Sequence, residues 1–217
     1  GTLSWSALDW YNLPEASPTL PALEAESVKR GWTFTRETYQ PAPYIPLPAD
    51  FDTYLAGIDK KQRHEIRRKM RRAAEHEVPV RWYLVEDEST LESEMDAFFA
   101  LMSQDPAKEI FLTEPMRRQM LATARTALRG GWLWLAFLEV GGRKAAGTFN
   151  FDYGNRLWGY NSGVNREFIE LSPGWVLLSH TLQWACEHGR NEFDFMRGNE
   201  EYKYRFGARD RLVMRAK

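Results

Sequence analysis

The chain has 217 residues, a formal net charge of -1, 43% hydrophobic and 27% charged residues, the balance of an ordinary globular domain large enough to bury a full core. The near-zero charge gives the chain as a whole no electrostatic preference for nucleic acid or a membrane surface, and no apolar run approaches the roughly 20 residues needed to span a bilayer. A single cysteine, Cys186, excludes an internal disulfide and fits a reducing, cytoplasmic setting.

Residues 1–48 read as largely irregular. Leu8–Pro14 is a short strand. Ser17 is placed to cap a helix with Pro18 at its first position, and Gly31 ends it. Trp32–Tyr39 alternates as a strand. Pro41, Pro43, Pro46 and Pro48 then predict a stiff extended connector. From Asp59 to Glu77 a helix is expected, with Asp59 and Gln62 as a capping box. Its residues 60–72 hold eight cations against Glu65 alone. A solvated helix face explains such a run, and so does contact with a polyanion.

Val80–Val85 predicts a strand, then two helices follow over Thr90–Ser103 and Glu114–Arg129. A meander comes next: Trp132–Val140, a Gly141-Gly142 turn, Thr148–Tyr153, a Gly154-Asn155 turn, and Leu157–Ser162. A helix over Pro173–His188 ends at Gly189. Glu192–Met196 is a strand, residues 199–206 a helical turn, and Arg211–Arg215 the last strand. A meander joined to helix crossovers implies an α+β fold: a mixed, mostly antiparallel sheet with helices on both faces.

Chemistry concentrates after the meander. Ser172, Pro173 and Gly174 open the apolar helix as N-cap, first and second residues, with Trp175 behind them. A helix start with free N–H groups and small residues suits a phosphate; plain helix capping is the competing explanation. The following strand carries Asp194, Arg197, Tyr202 and Lys203 to the same edge. His64, His76, His180 and His188 have no metal-ligand spacing, so no metal is expected. Cys186, in an apolar helix, reads as a buried thiol.

The element order resembles the GCN5-related N-acetyltransferase (GNAT) fold. Leu171-Ser172-Pro173-Gly174-Trp175-Val176-Leu177-Leu178 and Phe193-Asp194-Phe195-Met196-Arg197-Gly198-Asn199-Glu200-Glu201-Tyr202-Lys203-Tyr204-Arg205-Phe206-Gly207 look like the signature of its FemAB-like branch. That branch includes the CelD-type acetyltransferases linked to bacterial cellulose biosynthesis. The resemblance implies an acyltransferase with acetyl-CoA as co-substrate, bound in a V between Trp158–Val164 and Glu192–Met196. Ser172, Pro173, Gly174 and Trp175 would cradle its phosphates.

Within that likeness Lys203 would stabilise the oxyanion, with Asp194 and Tyr202 as further catalytic candidates. Arg197, Tyr160 and Glu170 would bind a saccharide-linked or small-molecule acceptor. The branch's other donor, aminoacyl-tRNA, stays open, because the usual Arg/Gln-x-x-Gly-x-Gly/Ala pyrophosphate loop is replaced by Arg166-Glu167-Phe168-Ile169-Glu170. A non-catalytic polyanion-binding module built on residues 60–72 is the alternative of a different class. Leu8-Asp9-Trp10-Tyr11 resembles Phe193-Asp194-Phe195-Met196. This suggests that residues 1–48 are the tail of a preceding GNAT-like half plus a connector, with residues 49–217 as the acyltransferase domain. Gly1 in place of Met, and an end inside an apparent strand, suggest a piece of a longer protein.

Overall fold

A computed structural model describes residues 5–217. The chain forms, in order, β1 (Trp10–Pro14), α1 (Thr19–Arg30), β2 (Arg36–Pro46), α2 (Phe51–Gly57), α3 (Lys60–Ala74), β3 (Val80–Leu84), α4 (Leu91–Met102), α5 (Pro106–Phe111) and α6 (Glu114–Arg129). Then come β4 (Leu133–Val140), β5 (Arg143–Tyr153), β6 (Arg156–Val164), a 3-10 turn (Arg166–Leu171), α7 (Pro173–Glu187), β7 (Glu192–Asp194), α8 (Glu201–Arg205) and β8 (Arg209–Ala216). The mixed α+β architecture with a mostly antiparallel sheet is as expected.

The eight strands lie in one sheet in the order β1-β8-β2-β7-β6-β5-β4-β3. All neighbours are antiparallel except β6 and β7. Alternate residues of β4 and β5 face opposite sides, as the two-residue strand period requires. Trp134, Ala136, Leu138 and Ala146 pack with Val176, Leu177 and Leu182 of α7 and with Ile66 of α3. Leu135, Phe137 and Phe149 pack on the other face with Phe98, Met102 and Met120 of α4 and α6. Cys186 is buried in the α7 layer, where desolvation pushes its thiol up to about 11. It is held as an unreactive thiol there.

The proline-rich segment is extended as expected, but it is bonded into the sheet. Residues 41–46 complete β2, which lies between β8 and β7. Prolines are tolerated in this inner strand because of what faces them. Pro41 and Pro43 turn toward the side where β7 has ended, and only their carbonyls are used, accepting from the Gly198 and Phe195 N–H groups. The missing N–H therefore costs no ladder bond. The first helix begins at Thr19, with Pro18 in the cap position and the Ser17 hydroxyl accepting from Thr19 N–H at 3.3 Å. The short helices α2 and α5 lack the length to show a clear apolar period, and the sequence reading did not separate them. β7 is two residues shorter than expected because Met196 turns to φ 56°.

Candidate active site

β6 and β7 run parallel for three residue pairs, ending at Trp158↔Asp194. Past that point they diverge, because β6 continues to Val164 while β7 stops. The opening between them is a cleft of about 490 Å³. Its walls come from β5, β6, the start of α7, the chain after β7, α8, and Lys108 of α5.

Three features shape this cleft. Gly159, the first residue beyond the paired segment, has no side chain, and a Cβ there would lie 3.2 Å from Phe193 Cζ. Asn150↔Gly159 is followed by Phe149↔Asn161, so β6 carries a bulge at Tyr160. Tyr160 therefore has no register partner on β5 or β7 among the described residues, and its backbone is released from the ladder at the cleft edge. Gly174 lines the cleft at the start of α7, and a Cβ there would meet Val164 at 3.1 Å.

The start of α7 differs from a simple capped helix. Ser172 adopts the left-handed conformation (φ 51°, ψ 52°), and its hydroxyl does not cap the helix. It instead accepts from Lys69 Nζ at 2.6 Å. The Trp175 and Val176 N–H groups bond the Ser172 carbonyl. Gly174 N–H is left as the first-turn amide without a backbone acceptor among the described residues. A non-glycine residue in this conformation costs about 1 kcal/mol, and α3 holds it there. Lys69 grips Ser172 and lies 4.7 Å over the Trp175 ring, while Arg72 donates to the Glu170 carbonyl. Lys69 and Arg72, together with Arg63, which donates to the Leu55 and Ala56 carbonyls, are thus spent on the protein itself, whereas Lys60, Lys61 and Arg71 are exposed.

Of the expected site residues, Gly174, Trp175, Tyr160, Arg197, Tyr202 and Lys203 come together in the cleft wall. Ser172 and Pro173 stand behind it, and Pro173 is buried. Glu170 is exposed on the 3-10 turn and outside the wall, so it is not placed to bind an acceptor in this cleft as expected.

Asp194 also lies outside the wall. It alternates with Phe193 and Phe195, which face the cleft, so its carboxylate points away. There it accepts from Met196 N–H at 2.6 Å and pairs with Arg211 at 3.1 Å. Burial pushes its carboxyl above the usual range, opposed by those two partners. Asp194 closes the end of β7 and does not reach the reacting space.

Lys203 does line the cleft, but its ammonium is fully engaged. It donates to the carbonyls of Arg197 (2.9 Å) and Gly198 (3.1 Å) and pairs with Glu200 (2.8 Å). An ammonium has three N–H donors, so none is left for an oxyanion. The side chain instead pins the 197–200 loop that carries Arg197 and Glu200 to the cleft rim. Arg197 is exposed and donates to Asn12 at 3.3 Å.

Tyr202 borders the cleft with 39% of its surface open. Desolvation, with the Glu200 charge behind it, pushes its hydroxyl up to about 12. It therefore stays protonated at neutral pH. The Tyr160 hydroxyl is raised by burial as well.

Two cleft residues escaped the sequence reading. Lys108 donates to the Ser162 carbonyl at 2.5 Å, and desolvation lowers its ammonium below the usual range. It sits on a short helix with no motif around it. Asn150 is 1% exposed on β5; its Oδ1 accepts from the Thr148 hydroxyl at 2.9 Å, and its Nδ2 has no partner among the described residues. A polar residue at a core-facing strand position was the available signal. Among the described residues no group of three His, Cys, Asp or Glu side chains is placed to hold a metal ion.

A sheet opened by a diverging parallel pair, with a bulge on one lip and a helix start on the other, gives an elongated ligand a way into the fold. The family model described as "Acetyltransferase (GNAT) domain" matches residues 60–204, and the chain belongs to that family. No curated protein matches it. Among solved structures, FemX is similar at a TM-score of 0.68 with 12% identity, over 94% of this chain and 70% of that one. L-PGS from Bacillus licheniformis is similar at 0.61 with 11% identity, over 96% and 66%. A GCN5-related glucosamine N-acetyltransferase region of a fungal multi-domain GH3 β-N-acetylglucosaminidase follows at 0.54 with 13% identity, over 94% and 23%. These likenesses concern the fold. The chain spans about two thirds of the length of FemX and L-PGS.

Proposed function

We propose that this GNAT acyltransferase domain takes its acyl group from acyl-CoA, acetyl-CoA being the simplest donor. It would transfer that group to an amine or hydroxyl of a cell-envelope or polysaccharide-linked acceptor, as a CelD-type enzyme of the cytoplasm. The observation that carries this reading is the cleft itself, where, among the described residues, Tyr160 has no register partner beside the β6–β7 vertex and Gly174 N–H has no backbone acceptor at the mouth.

In this reading the acceptor nitrogen or oxygen attacks the thioester carbonyl carbon, the new bond forms as the C–S bond breaks, and the acceptor's proton passes to water. The Tyr160 N–H would donate to the carbonyl oxygen as charge grows there. Tyr202, protonated at neutral pH, would give its proton to the departing sulfur and regain one from solvent, so that the proton the acceptor loses to water balances the thiol formed. Arg197 at the rim suits an anionic acceptor. Gly174 N–H, with Lys69 behind Trp175, would meet the phosphates. Lys203 and Asp194 fix the shape of this arrangement without touching the reacting atoms. The division into a preceding half ending near residue 48 and a domain over 49–217 belongs to the same proposal.

The second reading, aminoacyl-tRNA as donor, is favoured by the 3-10 turn that stands where a glycine-rich phosphate loop would be, and by the exposed Lys60, Lys61 and Arg71. Calorimetric titration with acetyl-CoA tests the first reading: no heat and no thermal shift at millimolar ligand would reject it. Binding of bulk tRNA that weakens steeply with salt, in a protein silent to acetyl-CoA, would select the second or a non-catalytic polyanion binder.

A further inference from the structure

The least satisfied group in the cleft is the side chain of Asn150. Its Oδ1 accepts from the Thr148 hydroxyl at 2.9 Å, the shorter of that hydroxyl's two contacts (the other is to Asn161 O at 3.5 Å), and Nδ2 has no acceptor among the described residues, in a residue that is 1% exposed and lines the cavity. The neighbour across the strand gives no relief: Trp134 pairs with Asn150 in the β4–β5 register, and its buried Nε1 is itself a donor without a partner among the described residues. Nearly all buried amide donors in folded proteins are satisfied, and an exception calls for an explanation.

The position of Asn150 supplies one. Its partner on β6 is Gly159, and register partners share a face of the sheet. Gly159 follows the last β6–β7 pair, so Asn150 lies one strand away from the vertex of the V. With glycine at 159 the space between Asn150 and Phe193 stays open; a Cβ would enter it, 3.2 Å from the Phe193 ring. Gly174, which the donor reading above gives to the phosphates, lies against Val164, the last residue of β6, at the other end of the cleft. An elongated donor whose phosphates stay at Gly174 brings its acyl end to the vertex.

We infer that Asn150 is a specificity-determining residue that reads the transferred acyl group, and that this group carries a hydrogen-bond-accepting oxygen beyond its reacting carbonyl. The inference rests on the acyl-CoA reading above. The chemical class is a short hydroxyacyl or oxoacyl chain. A plain alkyl acyl chain would bury Nδ2 without an acceptor, which is the penalty the site imposes on the wrong donor. Gly159 is the matching feature, because it keeps room for the chain.

Butyryl-CoA and 3-hydroxybutyryl-CoA differ by one hydroxyl and test this directly. The wild-type protein should show a kcat/KM for the hydroxyacyl donor about tenfold or more above that for butyryl-CoA, with p-nitrobenzylamine or another generic amine as acceptor and calorimetry as a second readout. In Asn150→Leu that ratio should fall toward one. Asn150→Leu should also melt no lower than wild type, since it removes an unpaired buried donor and keeps the volume. In Asn150→Asp, which preserves the shape and removes the donor, the same loss of preference is expected.

A ratio near one in the wild type, or a preference that survives Asn150→Asp, overturns the inference while leaving acyl transfer intact. Equal weakening of both donors in the variants also overturns it, because Asn150 would then serve the pantetheine arm. Failure of every acyl-CoA to bind or react overturns the donor reading together with this one.

Discussion

Replacing Lys203 by methionine separates a catalytic ammonium from a structural one. The side chain is 3% exposed and makes three charge-assisted bonds, two to main-chain carbonyls and one to Glu200. Methionine fills similar volume but leaves both carbonyls and the carboxylate without their donor. Breaking a buried charge from its partners costs about 3–5 kcal/mol; Glu200, being half in solvent, recovers part of its loss, so the lower end applies. In a chain of this size each kcal/mol lowers the melting temperature by roughly 2–4 °C, which gives a fall of about 10 °C. Calorimetric melting measures it, and steady-state kinetics with acyl-CoA runs alongside. The expected pattern is a lower melting temperature with weaker acceptor binding, as the 197–200 loop and Arg197 lose their anchor. A variant with wild-type melting and acceptor KM but a kcat reduced a hundredfold or more would refute the structural assignment and restore Lys203 as the oxyanion donor.

Gly163→Ala should destabilise by about 3 kcal/mol, because its Cβ would lie 2.5 Å from the Leu101 carbonyl carbon and 2.6 Å from Met102 N, backbone atoms that cannot move aside; urea unfolding reads the change. Tyr202→Phe should lower kcat by about 10–100-fold with donor binding retained, and the wild-type rate should show no falling limb from this hydroxyl below about pH 10, given its raised value. Glu65, bonded by Arg68 and flanked by Lys69, is held down at about 2. A carboxyl depressed in the folded state stabilises above its unfolded value and loses that contribution as pH falls toward 2. Wild type should therefore lose stability faster than Glu65→Gln between about pH 4.5 and 2 in acid titrations followed by circular dichroism, by a small margin because the pair is solvent-screened.

The sequence carried the fold well wherever an element was long and periodic. The α4 and α6 stripes, the Gly141-Gly142 and Gly154-Asn155 hairpins and the apolar α7 are all local patterns, and local patterns survive into the structure. The prolines of β2 misled because a proline's cost depends on which side its missing N–H faces, and that is fixed by β7 and β8, more than 140 residues away. Ser172 read as a cap because Ser-Pro-Gly usually caps; Lys69, over a hundred residues earlier, redirects its hydroxyl. Asp194 and Lys203 were correctly placed at the sheet edge, yet a charged residue beside a cleft can face it or brace it. Nothing in the sequence distinguishes these before Arg211 and the Arg197 carbonyl are located. Asn150 showed only as a polar residue at a core-facing strand position; its significance lies in a partner it lacks among the described residues.

The place of β2 bears on how this protein should be cut for study. The family match begins at residue 60, after β1 and β2 have been made. A fragment trimmed to residues 60–204 would lose β2 and β8 together, and the three-residue β7 would keep β6 as its single neighbour. Its lip of the cleft would then hang on a few slanted parallel bonds, with Phe195 and Gly198 deprived of the Pro43 and Pro41 carbonyls. Sequence similarity and cooperative folding draw different borders here, and expression clones should follow the second.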